Sequence, residues 1–245
     1  MLLLILPGLG MAAEQLTIAV ASNFQSTARQ LATEFTEQSG VAVRISAGST
    51  GKLYGQIVNG APFDVFLAAD TARPLLLEET GRAMPGSRFT YAIGTLLLWS
   101  RDPSISDCRQ ALHELGDSKL AIANPDTAPY GRAAREFLRA EGLWDTVEPS
   151  LVTGENISQA LQFAVNGGAR LGLVASAQAR SAGAVTATCS WPVPAASHAP
   201  ILQQAVILRR THNVKLALQF VKFLRGEHAR SIIAASGYLL PEQDT

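Results

Sequence analysis

The sequence is poor in charge. Only 16% of its 245 residues are Asp, Glu, Lys or Arg, and twenty basic side chains are matched by twenty acidic ones. An average soluble domain carries about a quarter. A neutral, sparsely charged chain lacks the basic surface whose counterion release drives nucleic-acid binding, so a dedicated nucleic-acid partner is excluded. Cysteine is scarce as well: Cys108 and Cys189 stand alone, which excludes a disulfide framework of the kind that holds very small secreted domains. The four histidines, His113, His198, His212 and His228, have no His or Cys partner at metal-ligand spacing. No Gly-x-Ser-x-Gly elbow and no Gly-x-Gly-x-x-Gly fingerprint is present. The usual signatures of hydrolases and dinucleotide enzymes are therefore missing.

The apolar block at the start, Met1 to Ala12, is too short to span a hydrocarbon layer of about 30 Å. It reads as the apolar region of a secretory signal, with small residues Gly10 and Ala12 placed for cleavage after Ala12, although no basic residue precedes it. A buried first helix is the alternative. In an oxidising compartment Cys108 and Cys189 either pair or remain as two buried thiols.

From Leu16 onward, short β-prone runs alternate with helical periodicity. Leu16–Val20, Val41–Ile45 and Asp64–Ala68 read as strands, separated by a helix carrying Phe24, Ala28, Leu31 and Phe35 and a shorter one from Leu53 to Val58. This β-α-β-α-β order implies a parallel sheet covered on both faces, with ligands at the carboxyl ends of its strands. After the apolar run Tyr91 to Ser100 the alternation repeats through Leu120–Ile122, Ser150–Val152 and Leu171–Val174. Two α/β lobes follow, joined by crossings near residues 91–100 and 201–208. The expected division is a signal over 1–12, a first lobe over 15–93 plus 206–245, and a second over 94–205.

Two motifs suggest catalysis. Ser49-Thr-Gly-Lys52 matches the Ser-x-x-Lys nucleophile pattern, but the companion Lys-Thr-Gly and Ser-Asp-Asn motifs are absent. An exported serine hydrolase using Ser49 and Lys52 is thus the weaker alternative. Gly51-Lys52 lacks the hydroxyl residue and first glycine of a phosphate-binding P-loop.

What is enriched lies where helices begin. Ala21-Ser22-Asn23, Gly48-Ser49-Thr50-Gly51, Asn124 to Gly131, and Gly154 to Ser158 all follow expected strands and carry hydroxyl or amide residues in place of charges. Helix capping alone explains any one of them. Four converging on one cleft would supply hydroxyls, free N–H groups and the positive ends of helix dipoles, which hold an anion without a counter-charge.

Ala21-Ser-Asn-Phe24, Ser46-Ala-Gly-Ser-Thr-Gly-Lys-Leu-Tyr-Gly-Gln-Ile57, Asn59-Gly-Ala-Pro62, Asp64-Val-Phe66, Ala69-Asp70 and Gly154-Glu-Asn-Ile157 resemble the periplasmic molybdate-binding proteins of ABC importers, from about Leu16 to Pro241. The resemblance implies a two-lobed periplasmic binding protein fold of type II, each lobe a mostly parallel sheet flanked by helices. It also implies capture of molybdate, and of tungstate, between the lobes for an ABC permease, with no catalysis, no cofactor and a monomeric chain. Sulfate or phosphate is the alternative cargo. Carried over residue by residue, the implied oxyanion donors are Ser22 with Asn23, Thr50 with Ser49, Tyr130, and the main-chain N–H of Ile157, with no direct metal ligand. Many relatives place a ligand Tyr where this chain has Ala175. A subgroup instead has Tyr before Gly in the third loop, and Tyr130-Gly131 resembles that subgroup. Asp64 and Asp70 match family positions, but beside a dianion they are expected to be structural, and Lys52 is expected to face solvent.

Overall fold

The computed structural model describes residues 15–181 and 187–242; the expected signal over 1–12 lies outside them. The strands in chain order are β1 (Gln15–Ala21), β2 (Ala42–Gly48), β3 (Val65–Leu67), β4 (Phe89–Gly94), β5 (Leu96–Ser100), β6 (Leu120–Ala123), β7 (Leu151–Gly154), β8 (Leu171–Ala175), β9 (Cys189–Pro192) and β10 (Ile201–Ile207). They form two five-stranded sheets of order β2-β1-β3-β10-β4 and β7-β6-β8-β5-β9. Each sheet has three adjacent parallel strands followed by an antiparallel one.

The helices are α1 (Gln25–Ser39), α2 (Thr50–Val58), α3 (Ala72–Glu79), α4 (Cys108–His113), α5 (Pro129–Ala140), α6 (Trp144–Val147), α7 (Ile157–Val165), α8 (Ser176–Ser181), α9 (Val214–Arg225) and α10 (Glu227–Ala235). In the first lobe, alternate residues of β1 face opposite layers. Leu16, Ile18 and Val20 pack with Leu31, Phe35, Phe220 and Ile233 from α1, α9 and α10. Ala19 joins Leu53, Ile57, Phe66 and Leu77 on the α2 and α3 side. Both faces are thus covered, as a parallel sheet requires. The second lobe packs Phe137, Leu138, Ile157 and Ala160 onto Leu120, Ile122 and Leu173, with Trp99, Leu161 and Val174 on its other face. Buried residues at helical spacing make α1, and Gly40 at φ 72° ends it with a left-handed cap that other residues adopt at a cost.

The apolar run Tyr91–Ser100 is two strands: β4 belongs to the first sheet, β5 to the second, and Thr95 is the crossing between them. The return crossing is β10 itself. Its first residue, Ile201, packs in the second lobe's core, whereas Ala205 and Ile207 pack in the first. β10 pairs with β4 and β3 along its length, beginning at Ile201 opposite Gly94. Ile201 thus belongs to the first sheet by pairing and to the second lobe by packing. Cys108 and Cys189 are joined in a disulfide with Cα atoms 5.6 Å apart, which tethers the start of α4 to the edge strand β9.

Candidate functional site

In each sheet the two strands that feed the relevant loops are neighbours: β1 beside β2, and β6 beside β7. Their carboxyl ends carry Ser22–Phe24 (a single 3-10 turn), the start of α2, the start of α5 and the start of α7. Contacts between lobes set these ends face to face. Ser158 donates its hydroxyl to the Ser22 carbonyl at 3.2 Å, and Gln178 on α8 adds an Nε2 donor to the same carbonyl at 3.0 Å. The Gly51 N–H donates to the Thr127 carbonyl at 2.8 Å. A Cβ on Gly51 would lie 2.9 Å from that carbonyl oxygen, so glycine is what lets the second and third loops touch. The third and fourth loops are linked in turn by Asn124 N–H to the Gly154 carbonyl at 2.8 Å. The loops form a closed ring.

Inside it lie the expected site residues: Ser22, Asn23, Ser49, Thr50, Tyr130 and Ile157 are all buried. Their donors differ in what remains free. The Ser22 hydroxyl has no hydrogen-bond partner among the described residues. Thr50 Oγ1 accepts the Ala69 N–H at 3.0 Å, which fixes the oxygen and leaves its proton to give. Ser49 caps α2, its hydroxyl accepting from Lys52 N–H at 3.4 Å. Asn156 caps α7 in the same way, accepting from the N–H groups of Ser158 and Gln159 at 3.0 and 3.1 Å. The Thr50 and Ile157 N–H groups, first in their helices, have no acceptor among the described residues, as expected of the orphan donors at a helix start.

Asn23 differs from expectation. Its Nδ2 donates to Gln203 Oε1 at 2.9 Å and to the Tyr238 hydroxyl at 3.2 Å, so both amide hydrogens are engaged within the protein. Its side chain has no donor left for an anion; only its main-chain N–H does. Tyr130 is 1% exposed and turned inward. Its hydroxyl oxygen accepts from Gln203 Nε2 at 3.4 Å, and no acceptor for its own proton is found among the described residues. Burial pushes the Tyr130 phenol well above its ordinary pKa, with a smaller push from Tyr238, opposed by the Gln203 hydrogen bond. Tyr91 and Tyr238 are raised as well, chiefly by burial. All three phenols are neutral donors.

The carboxylates are structural. Asp64 accepts from Thr17 N–H at 2.7 Å and from the Thr211 hydroxyl at 2.5 Å. Asp70 accepts from Arg73 N–H at 3.1 Å, pairs with the Arg73 guanidinium, and reaches Arg132 of the second lobe at 3.3 Å. Its charge is thus covered by two cations. Lys52 Nζ pairs with Glu155 at 2.9 Å with both side chains largely exposed. No hydrogen bond joins it to the Ser49 hydroxyl, so a Ser–Lys dyad, which needs the amine as base to the hydroxyl, is not assembled.

Sequence reading missed Gln203, Tyr91, Tyr238 and Gly94. Gln203 lies in the middle of the apolar β10 and is fully buried. A buried amide inside an apolar strand requires partners, and this was the available cue. Gly94 faces it: a Cβ there would overlap the Tyr130 hydroxyl and lie 2.9 Å from Gln203 Nε2.

Two lobes closed on a ring of uncharged donors, with the chain crossing between them at Thr95 and along β10, define a two-lobed solute-binding protein. The family model for bacterial extracellular solute-binding proteins matches residues 16–239. A molybdate-binding protein of Rhodobacter capsulatus is 43% identical over 230 residues, covering 93% of this chain and 89% of that protein. The solved structure of the Azotobacter vinelandii periplasmic molybdate-binding protein is 44% identical, covers 93% of this chain and 100% of its own, and superposes with a TM-score of 0.87. The chain also shares its fold with the sulfate-binding protein of Mycobacterium tuberculosis, at 13% identity and a TM-score of 0.73. The chain belongs to the bacterial extracellular solute-binding family and, within it, to the periplasmic molybdate-binding proteins.

Proposed function

We propose that this protein captures molybdate between its lobes in the periplasm and presents the closed form to an ABC permease, without chemical conversion of the ligand. The observation that carries this reading is the donor set: the Ser22, Thr50 and Tyr130 hydroxyls and the Asn23, Thr50 and Ile157 N–H groups, all buried and none charged. A tetrahedral dianion brings acceptors only, and hydrogen bonds to an ionised acceptor are about twice as strong as neutral ones. Closure removes water from around the ion and strengthens each of them. Tungstate, equal in charge and nearly equal in size, is bound too. Hydrogen phosphate carries a proton that needs an acceptor, and with no carboxylate in the ring only a hydroxyl oxygen could take it, so it is held less well. Sulfate has the same charge but shorter bonds, and fixed donors hold it less well. The chain acts as a monomer, and its N-terminal segment directs export.

The test is thermal unfolding with each oxyanion at about 100 times the molybdate Kd. Molybdate and tungstate should each add about 2.7 kcal/mol, a rise of roughly 5–10 °C. An equal rise with sulfate contradicts selection by size. A rise with phosphate alone moves the cargo to phosphate.

A further inference from the structure

Gln203 sits at the register shift of β10, the strand that returns the chain between lobes, and is fully buried. Its amide joins Asn23 and Tyr91 of the first lobe to Tyr130 of the second. Oε1 accepts from Asn23 Nδ2 at 2.9 Å, and the Tyr91 hydroxyl, whose one proton is shared with the Ala68 carbonyl, lies 3.1 Å from it. Nε2 donates to Tyr130 at 3.4 Å.

The direction of each hydrogen bond is fixed by its neighbours. Tyr238 donates its one proton to the Asn23 carbonyl at 2.7 Å, so at its other contact with Asn23 it can only accept, and the group it meets there is Nδ2. The second Nδ2 hydrogen then points to Gln203, which must present Oε1 to it. Nε2 is left on the side of Tyr130. Tyr130 oxygen therefore accepts, and its own proton is turned away from the protein network. It is the one hydroxyl proton of the Tyr238–Asn23–Gln203–Tyr130 series without an acceptor among the described residues. Gly94 adds the space: only a residue without Cβ lets the Tyr130 hydroxyl and the Gln203 amide meet across the first crossing.

We propose that Gln203 is a positioning residue, holding the Tyr130 hydroxyl in the orientation that donates to the captured oxyanion. This rests on the oxyanion reading above. Gln203 does not touch the ligand; it acts through Tyr130.

A double-mutant cycle on molybdate affinity by titration calorimetry separates this role from general packing. Gln203→Met keeps the side-chain length and removes both hydrogen-bonding ends. In the parent background it should weaken binding about tenfold or more, the effect of losing a well-oriented bond to a charged acceptor. In the Tyr130→Phe background it should weaken binding less than about twofold, because the hydroxyl it orients is already gone. Equal losses in both backgrounds, or no loss in either, overturn the proposal. Should Gln203→Met fail to unfold cooperatively, Gln203→Glu serves instead. Protonated, its carboxyl donates to Tyr130 as the amide does; ionised, it accepts the Tyr130 proton and draws it away from the anion. Tyr91, Tyr130 and Tyr238, the titratable groups facing it, are all raised by burial and stay protonated throughout. Affinity relative to the parent should fall between about pH 6 and about pH 9; a constant ratio overturns the proposal. A parent protein that binds neither molybdate nor tungstate overturns the functional reading and this inference together, whereas a parent that binds while the two substitutions add independently overturns only the inference.

Discussion

A hydroxyl that accepts one hydrogen bond from the protein has its proton left to give, and Thr50 and Tyr130 are both held this way. Removing either proton costs a bond to a charged acceptor, about 1.5–3 kcal/mol. Tyr130→Phe is therefore expected to weaken molybdate binding by roughly tenfold to a hundredfold in calorimetric titration, with little change in the fold. Gly94→Ala should harm both: its methyl group takes the space of the Tyr130 hydroxyl, and overpacking of this kind costs about 1–3 kcal/mol of stability, measurable by denaturant unfolding, along with ligand affinity. The buried phenols also set an alkaline limit. Unfolded tyrosines ionise near pH ~10, whereas Tyr91, Tyr130 and Tyr238 are raised above that value by burial. Unfolding releases their protons above about pH 10, so stability is intact below that pH and declines as pH rises. Denaturant unfolding at about pH 9 and about pH 11, with tyrosinate absorbance, should show those phenols ionising only as the chain unfolds. The four helix-start loops were legible in the sequence because turn chemistry at a helix start is local, and the family resemblance singled out Ser22, Thr50, Tyr130 and Ile157 within them. Gln203 was not, because its partners stand 180, 112 and 73 positions away and only the folded crossing brings them together.

At the scale of elements, strands and long helices followed from periodicity, since β1 and α1 bury side chains at their own repeat. Short pieces did not: α3, α4 and α6 have too few turns to show a pattern, and β9 depends on its partner β5. The split of Tyr91–Ser100 into β4 and β5 was also hidden, because both halves are apolar and only pairing distinguishes them. Helix caps behaved as their chemistry requires, with Ser49 and Asn156 turning their side chains to the helix and leaving the N–H groups of Thr50 and Ile157 for a ligand. The disulfide belongs to this scale. Cys189 sits beside Ser100 at the end of β5 away from Leu96, and Leu96 pairs with Ala175 at the carboxyl end of β8. The bond therefore lies at the opposite end of the second sheet from the donor ring. It closes a loop with a sequence separation of 81. Replacing both cysteines by serine should lower stability by about 2–4 kcal/mol, a fall of roughly 5–15 °C in Tm, while molybdate affinity in the folded state is retained. A matching loss of affinity would mean that the second lobe's ring depends on the tether.

The whole molecule is held closed by polar contacts as well as by its ligand site. Arg132 of the second lobe reaches Asp70 of the first, and Arg73 of the first lobe reaches the Asp126 carbonyl of the second at 3.3 Å. With Gly51 to Thr127, Lys52 to Glu155, and Ser158 and Gln178 to Ser22, these bonds cross the cleft on several sides. Arg132 is 40% exposed, so its pair with Asp70 contributes about 0.2–1 kcal/mol. Arg132→Ala should weaken molybdate up to about fivefold, chiefly by faster release, since the closed form is less favoured. At this scale the zero net charge of the chain acquires a meaning. On the proposed reading an anion is held by dipoles and hydroxyls, and the two carboxylates in the cleft contacts are both paired, Asp70 with Arg73 and Arg132 and Glu155 with Lys52. Crystals grown with tungstate and recorded at the tungsten absorption edge locate the ion without reference to any side chain. One anomalous peak should lie among Ser22, Asn23, Thr50, Tyr130 and Ile157, with its oxygens at hydrogen-bond distance from the Tyr130 hydroxyl and the Ile157 N–H. A peak elsewhere, or none at saturating tungstate, would contradict the donor ring as the site of capture.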